Sequence, residues 1–109
     1  KIQWEEISEK SLCFDVDGLK IQALPVLHGA DYVSLGFGFG PFGKRVVYIS
    51  DYTALLPRTE ALLQDWSTPP DGIALLVLDA LTPEGANPVH ADMETSLAMV
   101  RRFRPHQAR

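Results

Sequence analysis

The chain has 109 residues, of which 46% are hydrophobic and 22% charged, and its formal net charge is −4. This composition indicates a folded chain and not a disordered one. The acidic balance argues against a surface that binds nucleic acid regardless of sequence, since such a surface needs clustered Lys and Arg. A membrane-spanning helix needs about 18 consecutive apolar residues, and no apolar run in the sequence is that long.

The single cysteine gives information on the cellular compartment, and the two ends of the sequence suggest an expectation about the length of the protein. Cys13 excludes an internal disulfide, favours a reducing, cytoplasmic location, and is predicted to be buried as a small apolar residue. The sequence begins with Lys1 and has no closing element after Pro105. We therefore expect it to be part of a longer protein.

The first half of the chain is predicted to form strands. Residues 12–16 and 19–27 flank Asp17-Gly18, the dipeptide favoured in two-residue hairpin turns. Pro25 places its part of the second strand at a sheet edge or a bulge. Two more strands are predicted at residues 31–39 and 44–49.

In the second half, helices alternate with a strand. Residues 57–66 have leucines at near-helical spacing and a proline suited to the first turn. The apolar run 73–78 is typical of a strand covered on both faces. A second helix is expected to start at Asp92 as its cap and to run to Phe103. Its inward residues are predicted to be Met93, Leu97, Val100 and Phe103 or their neighbours.

The segment 38–43 matches the pattern G-x-G-x-x-G, which in nucleotide-binding proteins joins a strand to a helix. Here the next predicted element is a strand, and Pro41 removes a backbone donor that a phosphate would need. We therefore interpret these glycines as a hairpin connection and reject nucleotide binding.

Side chains that can bind metal ions follow three of the predicted strands. His28, Asp51 and Asp79 come directly or almost directly after apolar strands, and His90 lies just before the second helix. Each residue alone also fits a plainer role, because a histidine or carboxylate at a strand end commonly forms surface hydrogen bonds or caps a turn. The hydroxyl groups next to Asp51 suggest that its carboxylate is oriented by them.

The order of these motifs resembles the C-terminal half of metallo-β-lactamase-fold hydrolases. The likeness is greatest to the phosphodiesterase branch that includes the cyclic-phosphate phosphodiesterase of carbon–phosphorus lyase pathways, and it extends over residues 24–105. The motifs that carry it are His28-Gly29, Leu35-Gly36-Phe37, Tyr48-Ile49-Ser50-Asp51, Leu76-Val77-Leu78-Asp79 and His90.

This resemblance implies a mixed α/β (α+β) chain that is part of an αββα sandwich, with two divalent metal ions, zinc or manganese, at one edge of it. His28 would complete the coordination of one ion, and Asp51 would bridge both. His90 would protonate or stabilise the leaving oxygen, for which its ordinary pKa of about 6.5 is suitable. Asp79 would have a supporting role.

Two parts of the family pattern are missing. The ligand cluster H-x-H-x-D-H does not occur in the sequence. The last ligand histidine is expected after a strand just beyond residues 104–106, and His106 does not replace it. Residues 1–109 are therefore expected to be the C-terminal portion of one domain without its N-terminal metal-ligand half, inactive when isolated.

The complete protein is expected to hydrolyse a phosphodiester or related ester of a small molecule through a metal-bound hydroxide, without a nucleic-acid or membrane partner. Two alternatives stay open at this point. One is a tRNA-processing endonuclease of the same superfamily, and the other is a non-catalytic truncated module.

Overall fold

The computed structural model describes residues 12–29, 32–41, 43–50, 52–69, 72–78 and 93–109. Within these ranges a seven-stranded sheet packs against two helices. No helix among the described residues has the length and apolar character needed to cross a membrane. In chain order the elements are β1 (Cys13–Val16), β2 (Leu19–Leu27), β3 (Val33–Phe39), β4 (Arg45–Ile49), β5 (Ala54–Leu55), α1 (Pro57–Trp66), β6 (Ile73–Leu78), α2 (Met93–Phe103) and β7 (Gln107–Ala108).

The strand order is β1-β2-β3-β4-β6-β7, and β5 pairs with β2 off this path. The pairs from β1 to β4 are antiparallel, whereas β4, β6 and β7 are parallel to one another. Consequently β2, β4 and β6 all run in the same direction and end at the same edge of the sheet. This edge, where Leu27, Ile49 and Leu78 end their strands, is called the carboxyl edge below.

The turn between β1 and β2 has the predicted hairpin geometry. Asp17 and Gly18 both have positive φ, 50° and 88°, as a type I′ turn requires. The Gly18 amide donates a hydrogen bond of 2.8 Å to Oδ1 of Asp15. The predicted hairpin is confirmed, and its register is fixed by this short turn.

Pro25 lies at a gap in the pairing of β2. Strand β3 pairs along one side of β2, and on the other side β1 pairs with its first half and β5 with Val26 and Leu27. Pro25 falls between β1 and β5, so its lack of an N–H costs no ladder bond there. Its carbonyl instead accepts a 2.6 Å hydrogen bond from Oγ1 of Thr59 in α1. The edge position predicted for this proline is confirmed.

The buried core lies between one face of the sheet and the two helices. Glycines on this face leave room for larger side chains: Ile49 lies against Gly36, and the Trp66 ring lies against Gly38. The cluster of buried residues draws on strands, both helices and the segment after β4, and its members are Leu24, Val26, Val47, Ile49, Tyr52, Leu63, Ile73, Leu76, Met99 and Phe103.

The opposite face of the sheet is apolar and partly exposed, and we call it the open face. Cross-strand partners share a face, and the register assigns to the open face Phe14, Val16, Leu19, Ile21, Ala23, Pro25, Leu27, Val33, Leu35, Phe37, Phe39, Val46, Tyr48, Leu75 and Val77. None of these residues is charged. Several stay accessible, with 52% of Val33 and 47% of Tyr48 exposed.

Three predictions about burial need correction. Cys13 is exposed, because β1 is an edge strand and three of its four residues are accessible. Leu97 is 41% exposed, because α2 turns Ser96, Met99 and Phe103 towards the core instead. Strand β6 is not fully covered on both faces: only Ile73 and Leu76 are buried, and its other residues are half-buried.

Candidate functional site

The candidate site is the carboxyl edge, from which the chain continues after β2, β4 and β6. His28 directly follows β2 and is described by the structure. Asp51, Asp79 and His90, the other predicted site residues, lie outside the described residues. The strand directions bring the ends of β2, β4 and β6 to one edge, and the roles of these four side chains stay predictions.

His28 is held at the start of the connection between β2 and β3. Its backbone N–H donates a 2.7 Å hydrogen bond to the carbonyl of Tyr32. The two rings meet edge to face, with centroids 6.1 Å apart and an interplanar angle of 74°. Gly29 has a φ of 83°, a value that an L side chain rarely adopts, and this conformation turns the chain directly after the imidazole. His28 is half-buried at this edge.

Thr53 contacts the backbone on both sides of His28. Its Oγ1 donates to the carbonyl of Leu27 and accepts from the amide of Gly29, each at 3.2 Å. Its own backbone N–H also donates to the Leu27 carbonyl at 2.7 Å. The segment that follows β4 is therefore bonded directly to the end of β2.

Tyr52, the neighbour of Thr53, connects the same segment to α2. Its hydroxyl lies 2.8 Å from the hydroxyl oxygen of Ser96, and either group can be the donor. Tyr52 is fully buried and Ser96 is 6% exposed. Because α2 starts at Met93, this bond lies about one helical turn from the helix start.

These contacts extend what the sequence indicates about the hydroxyl groups beside Asp51. The expected role of Tyr52 and Thr53 was to orient that carboxylate, and the described bonds lead to Ser96 and to the peptide groups around His28. The inward position of Ser96 was missed because a serine carries no apolar signal. Its spacing of three and seven residues from Met99 and Phe103 is the pattern that could have revealed it.

His106 lies at the other edge of the sheet. Its backbone N–H donates to the carbonyl of Ile73, the first residue of β6, at 2.8 Å, and its ring lies against Gly72. The strand expected just after His106 exists as β7, parallel to β6. The Leu78 amide donates to the carbonyl of Arg109 at 2.9 Å, so the chain reaches the carboxyl edge at this residue.

The described residues alone do not supply a set of metal ligands. No group of three or more His, Cys, Asp or Glu side chains suited to a metal ion occurs within the ranges that the structure describes. His28 is the one predicted ligand among them, and zinc sites normally use three or four protein ligands. The predicted role of Asp51 as a second ligand falls on a residue that the structure does not describe.

Comparison with known proteins adds information on the fold. No protein-family model matches the chain, and no curated protein matches it significantly. A solved structure described as a new diphosphatase from the PhnP family is similar, with a TM-score of 0.68 and 20% sequence identity over 88% of this chain. The chain spans 35% of that protein's length. At this identity the likeness shows the fold, and the predicted mixed α+β fold of metallo-β-lactamase type is confirmed.

Proposed function

We propose that this chain is the C-terminal portion of a metal-dependent hydrolase of metallo-β-lactamase type that cleaves phosphodiester or related phosphate bonds. The observation that carries the proposal is the shared direction of β2, β4 and β6, which brings the strand ends before His28, Asp51 and Asp79 to one edge. The likeness to a diphosphatase over most of the chain supports the same class of chemistry.

In this proposal the chain contributes part of a site for two divalent metal ions, zinc or manganese. His28 would bind one ion, and the carboxylate of Asp51 would bind both ions. When bound, such a pair of ions polarises the phosphoryl oxygens and activates water. His90 would donate a proton to the leaving oxygen, and Asp79 would support the ligands from the end of β6.

The described surroundings of His28 suit a metal ligand. Its backbone is held by one hydrogen bond to the Tyr32 carbonyl and by the two Thr53 side-chain bonds to the adjacent peptide groups, and its ring packs edge to face against the Tyr32 ring. A ligand held in this way loses less conformational freedom when it binds an ion. A histidine with a mobile backbone would bind more weakly.

The open face supports a second part of the proposal. The apolar residues Val16, Leu19, Val33, Leu35 and Tyr48 on this face are all exposed, and a folded domain rarely leaves an apolar patch of this kind without a partner. We propose that polypeptide beyond these 109 residues supplies a second sheet that packs on it, together with the remaining metal ligands. The similar diphosphatase chain is long enough for such a part, since this chain spans 35% of it.

The proposal is tested with the complete protein by metal analysis and by hydrolysis of a nitrophenyl phosphodiester and of an organic diphosphate. We expect about two bound ions for each chain and metal-dependent hydrolysis of at least one of these substrates. The Asp51→Ala variant should lose both metal and activity, whereas His90→Gln should keep the metal and lose activity. Full metal content and activity in Asp51→Ala would contradict the proposal.

A further inference from the structure

We infer that Thr53 is a positioning residue that sets the backbone at His28, and that Tyr52 links this arrangement to α2. The inference rests on the proposed function, because it assigns the two residues to the same metal-binding edge. It concerns residues that act through others, since neither is expected to touch a metal ion or substrate.

The hydroxyl group of Thr53 bonds to the backbone on both sides of His28. The group donates to Leu27 and accepts from Gly29, so both peptide groups that flank His28 are bonded to one side chain. Its backbone N–H adds a further bond to Leu27. The donor, the acceptor and the left-handed Gly29 together define where the Cα of His28 lies and in which direction its side chain leaves the backbone.

Thr53 is also close in sequence to the predicted site residue Asp51. It lies two residues after Asp51, and Tyr52 lies between them. The bond from Tyr52 to Ser96 joins the same short segment to α2, which begins three residues after His90. Two adjacent side chains therefore connect the end of β2, the segment after β4 and the helix that follows His90.

The chain also offers a matched control residue. Oγ1 of Thr59 donates to the carbonyl of Pro25, which belongs to the same strand, at 2.6 Å. Thr59 is 2% exposed, so the loss of its hydroxyl should affect stability. The carbonyl that accepts this bond, however, belongs to a residue three positions before His28. The bond therefore does not involve either of the peptide groups that flank His28.

The test uses the complete protein with the substitutions Thr53→Val, Thr53→Ser and Thr59→Val, and calorimetric titration of the metal-free forms with zinc. Loss of a group that orients a metal ligand typically weakens metal affinity about 10- to 100-fold. We expect a loss of that size for Thr53→Val, whereas Thr53→Ser should stay within about threefold of the wild type, because it restores the hydroxyl. Thr59→Val should lower stability and leave zinc affinity unchanged.

Equal zinc affinity in Thr53→Val and the wild type would overturn the inference, and so would an equal loss in Thr59→Val. A wild type that binds no zinc or manganese would overturn the proposed function instead. Amide hydrogen exchange then tests the positioning separately: the Gly29 amide of the metal-free protein should exchange faster in Thr53→Val than in the wild type. An unchanged exchange rate at Gly29 would show that Thr53 does not hold this backbone.

Discussion

The hydroxyl groups of Tyr52 and Ser96 lie 2.8 Å apart inside the core, although 44 residues of chain separate them. The bond ties the segment after β4 to α2, and both residues are almost inaccessible to solvent. A buried hydrogen bond between side chains is worth about 1 kcal/mol, and a buried polar group that loses its partner costs about 1–3 kcal/mol. This pair should therefore make a measurable contribution to stability.

The substitutions Tyr52→Phe and Ser96→Ala should each lower the free energy of unfolding by about 1–2 kcal/mol, because each removes one partner of a buried bond. The double variant should lose less than the sum, with a coupling energy of about 1 kcal/mol. Urea denaturation of the four proteins in a double-mutant cycle measures this coupling. Strictly additive losses would show that the two hydroxyl groups do not interact in solution.

Gly38→Ala should lower the free energy of unfolding by about 1–3 kcal/mol, a typical cost of overpacking. A Cβ atom at this position would lie 2.7 Å from Cη2 of Trp66. A shift of the indole would disturb its contact with Arg45, whose guanidinium carbon lies over the ring at 4.2 Å from the centroid. Thermal or urea unfolding of the single variant gives the cost.

The cause of the lower free energy of unfolding is tested by combining Gly38→Ala with Trp66→Leu. If the clash with the indole is responsible, adding Gly38→Ala to Trp66→Leu should cost clearly less than adding it to the wild type. A cost that is the same in both backgrounds would place the strain in the strand backbone and contradict the steric account.

Coverage of the open face in the complete protein can be tested by substituting two leucines of similar exposure. Leu35 lies on this face and is 37% exposed, whereas Leu97 lies on α2 and is 41% exposed. In the complete protein, Leu35→Lys should lower the free energy of unfolding by at least about 2 kcal/mol, because the proposed second sheet would bury its charge. Leu97→Lys should change it by less than about 0.5 kcal/mol, as surface substitutions usually do.

Dye binding by the 109-residue chain gives a second measurement on the same pair. A dye that fluoresces on apolar surfaces should bind the isolated chain, and Leu35→Lys should reduce this binding more than Leu97→Lys does. Equal effects on stability would mean that the open face is not covered in the complete protein. Equal effects on dye binding would mean that this face is not the apolar surface that the 109-residue chain exposes.

The regular elements of this fold could be predicted well from local patterns. The bounds of α1 and β6 agree with the sequence, because a proline at the first helical turn and a bounded apolar run mark them clearly. The turn dipeptide Asp17-Gly18 likewise predicts the first hairpin from local sequence. Strand β5 has only two residues and no periodicity. No local sequence pattern therefore predicts that it pairs with β2, on the side opposite to β3.

The site was harder to predict because its geometry comes from contacts between distant parts of the chain. The position of His28 at a strand end is a local property, and the sequence shows it. The bonds of Thr53 to Leu27 and Gly29 depend on where β5 pairs, and the bond between Tyr52 and Ser96 joins residues that are 44 positions apart. Exposure of Cys13 likewise follows from the place of β1 at the sheet edge.

The proposed metal binding at the carboxyl edge is tested by substituting two histidines that lie on opposite edges of the sheet. Zinc affinity of the complete protein is measured for His28→Asn and for His106→Asn, whose backbone is bonded at the start of β6. We expect His28→Asn to weaken zinc binding by at least about 100-fold, since it removes the proposed ligand, and His106→Asn to leave binding unchanged. Unchanged binding in His28→Asn, or an equal loss in both variants, would show that this edge does not hold the metal.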